Sequence, residues 1–122
     1  MVRYRITRAK ETLIEAKKMF ELEFYNTCIN RLYYSCFYAV NALLVNNNII
    51  ATSHNGVRQM FGLHFVKSGK ISKENGKLFS DLFDNRQKGD YVDFIKYSKD
   101  TVLEFIKPVE NFIKSIEKLL QK

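Results

Sequence analysis

Cysteine and histidine are scarce in this chain, and each scarcity closes off a class of chemistry. Its two cysteines, Cys28 and Cys36, are eight residues apart in a stretch that reads as one helix, where that spacing is about 12 Å along the axis. A disulfide needs Cα atoms within about 7 Å. The two therefore do not pair with each other, and they read as small apolar core residues of a reducing compartment. The two histidines, His54 and His64, are ten residues apart, about 15 Å on a helix and too far for one metal ion. Elsewhere no cluster of Cys, His and carboxylates has ligand spacing, so neither a metal nor a cofactor is expected. There is no glycine-rich phosphate loop, no Gly-x-Ser-x-Gly elbow, and no base beside either cysteine. Apolar runs are short, Ala42 to Val45 being representative, against the roughly 20 residues of a membrane span. The start, Met1-Val2-Arg3-Tyr4-Arg5 followed by Arg8 and Lys10, carries no apolar signal segment. A cytoplasmic protein that acts by binding is the resulting expectation.

What the chain does have is length enough for one domain and an excess of positive charge. Its 122 residues support a single core, burying roughly two-thirds of the surface that the unfolded chain exposes. Twenty basic against 13 acidic residues give a net charge of +7. The excess falls in Arg3 to Lys10, in Lys67 to Lys77, and in Lys114, Lys118 and Lys122. It fits an acidic partner, and each cluster alone fits the solvated surface of a lysine-rich protein somewhat better.

Apolar periodicity predicts an all-α, single up-and-down bundle of about five helices spanning residues 1–122. Ile6, Ala9, Leu13, Ala16 and Phe20 step by three and four along a first helix over about residues 3–21. The second, about 25–46, has one stripe of Ile29, Leu32, Tyr33, Cys36, Val40 and Leu43 and another of Tyr34, Phe37, Tyr38 and Leu44. A helix apolar nearly all round is central, or faces a second subunit as well. Asn46, Asn47 and Asn48 end it. Thr52 or Ser53 caps a third helix with Val57, Phe61, His64 and Phe65 on one face, closed by Ser68-Gly69-Lys70. Ser72 caps a fourth that leads through Leu78, Phe79, Leu82 and Phe83 to Arg86, after which residues 87–91 break the pattern. Ser98 caps a long last helix, predicted to kink near Glu104 to Pro108, where proline removes a backbone donor. The pairs Asn55-Gly56 and Asn75-Gly76 lack alternating flanks, so helix prevails over hairpin at both.

Polar groups interrupting apolar faces are the candidates for function. Arg86 lies four residues past Leu82 and eight past Leu78, on the side that packs inward, and an arginine there needs an acceptor. Asp90 or Asp81 would serve, as would a phosphate or a second subunit. Tyr34 and Tyr38, with Asn30 and Asn41 on the same flank and Arg31 three residues before Tyr34, combine stacking surface with hydrogen-bonding groups, although such tyrosines are more often core residues with satisfied hydroxyls. His54 reads as an exposed residue at a helix start.

Four ordered blocks resemble one family. They are Cys28-Ile29-Asn30-Arg31-Leu32-Tyr33-Tyr34-Ser35-Cys36-Phe37-Tyr38-Ala39-Val40-Asn41-Ala42-Leu43-Leu44, then Ser53-His54-Asn55-Gly56-Val57, Phe65-Val66-Lys67-Ser68-Gly69, and Asn85-Arg86-Gln87-Lys88-Gly89-Asp90-Tyr91. Together they resemble the prokaryotic HEPN superfamily, in its branch long labelled an uncharacterised protein family. The resemblance implies a helical bundle that dimerises and is encoded beside a minimal nucleotidyltransferase, as a toxin–antitoxin-type pair. It also implies a link to RNA or nucleotides, since many members are metal-independent ribonucleases. Their signature is an arginine, four to six residues, then a histidine. Arg86 matches the arginine, but the positions for histidine hold Tyr91, Val92 and Asp93. Losing the acid/base group of such a site costs a factor of about 10² to 10⁴. The resemblance thus implies a binding domain without the usual ribonuclease activity, with Arg86, Asp90, Tyr91, Tyr34 and Arg31 as ligand-binding residues. A ribonuclease built on Arg86 and His54, and a purely structural interaction domain, are the alternatives. Tyr91 also follows the arginine where related pairs are silenced by adenylation of a tyrosine, although the full motif is absent.

Overall fold

The computed structural model describes residues 2–91 and 96–121, with side chains at all of these except 87–91. Five α-helices follow in order: α1 (Val2–Glu21), α2 (Tyr25–Asn46), α3 (His54–Phe61), α4 (Lys73–Tyr91) and α5 (Lys99–Leu120). Among the described residues there is no strand, and the architecture is the expected all-α bundle. No helix among them is long and apolar enough to cross a membrane.

α2 is central because two of its faces are apolar, and it packs against α1, α3, α4 and α5. Its contact with α1 is close because the facing residues are small. Ala9, Ala16, Cys28, Cys36 and Ala39 are fully buried, and the Ser35 hydroxyl donates to the Ala9 carbonyl at 2.7 Å. Burial pushes the Cys28 thiol up to about 11 and the Cys36 thiol higher still, so both stay protonated and inert. On the other side of α2 a phenylalanine cluster joins three helices: Phe61 lies 5.4 Å from Phe79 and 5.8 Å from Phe112 between ring centroids. Two ion pairs, Lys10–Glu117 and Lys17–Glu110, clip α1 to α5, and the latter holds the Glu110 carboxyl below its usual range.

The caps follow the sequence. Gly56 N–H donates to Ser53 Oγ at 2.9 Å, Asn75 N–H to Ser72 Oγ at 3.1 Å and Thr101 N–H to Ser98 Oγ at 3.2 Å. Asn48, at φ 58°, takes the left-handed conformation just past α2. α5 is one continuous helix through Pro108, so the bend expected near Glu104 does not interrupt it.

Two features depart from expectation. α4 does not end at Arg86 but runs to Tyr91, because backbone hydrogen bonds need no apolar periodicity and one glycine costs only about 1 kcal/mol. The third helix changes pitch at Gly62–Val66, a π turn in which Lys67 N–H donates to Gly62 O at 2.8 Å. The wider turn rotates the following side chains, so Phe61 and Phe65 stay buried while His64, expected on the same face, is exposed.

Two glycines flank this turn and predict opposite outcomes. Gly62 has helical φ and ψ, and a Cβ there would meet nothing within 4 Å. Gly62→Ala should stabilise by about 0.4–1 kcal/mol through the unfolded chain's entropy. A Cβ on Gly76 would sit 2.9 Å from Val66 Cγ1, a short β-branched side chain with little room to yield. Gly76→Ala should cost about 1–3 kcal/mol. Urea denaturation of both variants checks the pair, and equal signs would contradict this packing.

Candidate functional site

Tyr33 is the hub of the polar end of the bundle. Its ring is fully buried and stacks on Phe79 at 5.8 Å and 9°. Burial pushes its phenol well above the usual tyrosine range, opposed by the nearby Arg86 charge, so the hydroxyl keeps its proton. That hydroxyl is 2.8 Å from His54 Nδ1. His54 opens α3 behind the Ser53 cap, and its ring lies flat on Phe37 at 4.5 Å and 22°. It is therefore not the exposed helix-start residue expected from sequence; it is half-buried between α2 and α3. Burial first, and the Arg86 charge second, hold its pKa below the ordinary imidazole value. The ring is neutral at pH 7, and its Nε2 is not engaged by Tyr33.

Arg86 arrives from α4 on the same two tyrosines. Its guanidinium carbon is 5.6 Å from the Tyr33 ring centre and 5.5 Å from that of Tyr34, and Nη2 donates to the Tyr34 hydroxyl at 3.1 Å. Asp81, one of the two carboxylates expected to accept from it, instead takes Lys77 Nζ at 2.7 Å on the exposed side of α4. The side chains of Asp90 and Tyr91, both candidate ligand residues, lie outside the described residues. Arg31 is brought in as expected: its guanidinium carbon is 5.2 Å from the Tyr34 ring centre. It is also committed, donating to Asn30 Oδ1 at 2.8 Å and to Glu15 Oε1 at 3.4 Å.

Arg86 faces a cleft of about 280 Å³ between α2, α4 and the start of α5, lined also by Asn26, Thr27, Asn30, Asn85 and Tyr97. Tyr97 bridges it, its N–H donating to Asn26 Oδ1 at 2.9 Å and its hydroxyl to the Asn85 carbonyl at 2.7 Å. Sequence reasoning misses Asn26 and Tyr97, which sit 71 residues apart and share no motif. Asn85 adjoins Arg86 in the last of the four sequence blocks, which is the available signal. Tyr33, on the core stripe of α2, is core and site at once.

A half-buried arginine, a neutral histidine and a phenol thus meet where three helices converge. The sequence matches the HEPN domain family over residues 2–119. The chain belongs to the HEPN family. It is 36% identical over 121 residues to a UPF0332 protein of Thermotoga maritima, an alignment covering 99% of this chain and 92% of that relative. It is 34% identical over 114 residues to a Methanocaldococcus jannaschii protein named "Putative toxin", covering 93% of this chain and 84% of the relative. A UPF0332 protein of Archaeoglobus fulgidus is 29% identical over 118 residues, 97% of this chain and 94% of the relative. The imidazole near Arg86 is that of His54, which comes from α3.

The depressed His54 pKa sets a pH dependence. The unfolded histidine, near 6.5, binds a proton that the folded one resists, so stability is fully present above pH 6.5 and falls as pH drops below it. Thermal unfolding between pH 7 and pH 5 should show this loss, and His54→Gln should flatten it. An equal slope in the variant would place the proton elsewhere.

Proposed function

We propose that this HEPN protein is an RNA- or nucleotide-binding module of a toxin–antitoxin-type pair, working as a homodimer beside a minimal nucleotidyltransferase. The observation that carries the reading is Arg86, fixed by two tyrosine faces at the mouth of a polar cleft. A guanidinium is a planar, permanently charged fork of N–H donors whose geometry matches a phosphate, so the group is suited to one. The half-buried second stripe of α2, Tyr34, Phe37 and Tyr38, supports a second subunit against this face. The name "Putative toxin" on a relative matching 93% of the chain supports the module.

Metal-independent cleavage of RNA needs a base for the 2′-hydroxyl and an acid for the leaving oxygen. The described site offers one imidazole, so binding without efficient cleavage is the favoured reading. The test is a titration of labelled single-stranded RNA at 50 and 200 mM salt. Affinity should fall steeply with salt, as phosphate contacts require, and salt-insensitive or absent binding would leave a structural interaction domain. A second reading, a ribonuclease, is favoured by His54 and Arg86 sharing the Tyr33–Tyr34 pair. Under it, tRNA or mRNA is cut by the wild type and spared by both His54→Ala and Arg86→Ala.

A further inference from the structure

We propose that the groove between α3, the π turn and α4 is a second phosphate-binding subsite, which takes the backbone of a single RNA strand leading away from Arg86. The inference rests on the RNA-binding reading above. The groove holds about 360 Å³, with Phe61 and Phe79 beneath it and Arg58, Lys73 and Lys77 at its rim. Gly62 leaves one wall without a side chain, while the approach of Gly76 to Val66 fixes how far apart the walls stand. Three cations line the groove, within a stretch of sequence that is basic. Residues 58–77 carry five lysines and arginines against one acidic residue, Glu74.

Two of the rim cations have carboxylate neighbours, Arg58 with Asp84 at 3.4 Å and Lys77 with Asp81 at 2.7 Å. Both pairs are exposed, the class that contributes little and exchanges readily for another anion. Lys73 and Lys77 are themselves exposed, so their ammonium groups meet a ligand without desolvating first. The groove also lies close to the candidate site. The Arg58 guanidinium is 4.8 Å from the Phe83 ring centre, Phe83 is 6.0 Å from Tyr33, and Tyr33 is 5.6 Å from the Arg86 guanidinium. Two buried rings thus separate the two arginines, which places them within the span of a short run of RNA backbone. A row of point charges along an open groove positions phosphates without reading bases, so the subsite should add affinity for length and none for sequence.

Fluorescence anisotropy with labelled uridine oligomers of about 4 and 15 nucleotides tests this across a salt series. The wild type should bind the longer oligomer at least about tenfold more tightly. A combined Arg58→Gln, Lys73→Gln, Lys77→Gln variant should lose that gain, keep its affinity for the short oligomer, and show a salt slope lower by about 0.7 for each phosphate no longer neutralised. Gly62→Glu, which places a carboxylate in the groove, should act likewise while Gly62→Ala binds as the wild type does. Thermal melts of each variant separate misfolding from weakened binding by a folded protein. Unchanged length dependence and slope in the triple variant, with Arg86→Ala still weakening both oligomers, would overturn the subsite and leave the RNA reading intact. The groove cations would then face an acidic protein surface instead. No binding of either oligomer by the wild type would overturn both.

Discussion

Replacing Tyr33 by alanine should lower stability by about 3–5 kcal/mol, the range for removing a large buried aromatic side chain. Such a loss is a large part of the roughly 5–15 kcal/mol that holds a typical domain together. The ring has no exposure, and Phe79, Phe83, Phe37 and Tyr34 all lie within 6.0 Å of it between centroids. Its removal opens a cavity where α2, α3 and α4 meet, and Phe79 and Phe37 cannot collapse into it without leaving their other partners, Phe61 and Phe112 for the one and His54 for the other. Chemical denaturation should report the loss, with Tm falling by roughly 10 °C or more. Tyr33→Phe separates the two roles of the residue. It keeps the stack on Phe79 and leaves His54 Nδ1 without its partner, so about 0.5–1.5 kcal/mol should be lost. A cost for Tyr33→Ala below about 1 kcal/mol would contradict a role for this ring as the hub.

How much of the fold is legible in the sequence depends on the distance over which each signal acts. Helix α2 matches its expected bounds because both its signals are local: apolar positions at helical spacing and an Asn-rich stop. The buried positions Val102, Val109, Ile113 and Ile116 of α5, at helical spacing, and the Ser53, Ser72 and Ser98 caps are local in the same sense. The end of α4 is misplaced by periodicity because loss of amphipathicity is not loss of helix, and residues 87–91 continue the backbone ladder. The π turn has no visible cue. Its effect is to carry His64 out of the face that spacing from Phe61 and Phe65 assigns it.

The site divides along the same line. Arg86 and Tyr34 stand out on their own helices, and the structure joins them across 52 residues of sequence. His54 is underrated by sequence because a capped helix start is ordinarily solvated. Its burial is supplied by Phe37 and Tyr33, 17 and 21 residues earlier, a relation no local pattern encodes. Asp81 shows the converse. Its sequence distance from Arg86 suggests a partner, yet Lys77 one turn before it on α4 takes the carboxylate first.

The largest functional effect is expected at Arg86. A guanidinium lying on the Tyr33 and Tyr34 rings, with one N–H given to the Tyr34 hydroxyl, has lost much of its rotational freedom before any ligand arrives. A phosphate met by such a group loses little further entropy in forming its bonds. Arg86→Ala should therefore remove a charge-assisted hydrogen bond worth about 1.5–3 kcal/mol, an affinity loss of about ten- to a hundredfold for single-stranded RNA. Arg86→Lys is the sharper variant. It keeps the charge but neither the planar fork nor the stacking on tyrosine, so it should restore the salt dependence and only part of the affinity. Anisotropy titrations at two salt concentrations, with circular dichroism to establish that each variant is folded, measure both. If Arg86→Lys bound as tightly as the wild type, the two tyrosine faces would be packing and nothing more. If Arg86→Ala bound as tightly, phosphate recognition would lie away from Arg86, with the Arg58, Lys73 and Lys77 groove the first place to seek it.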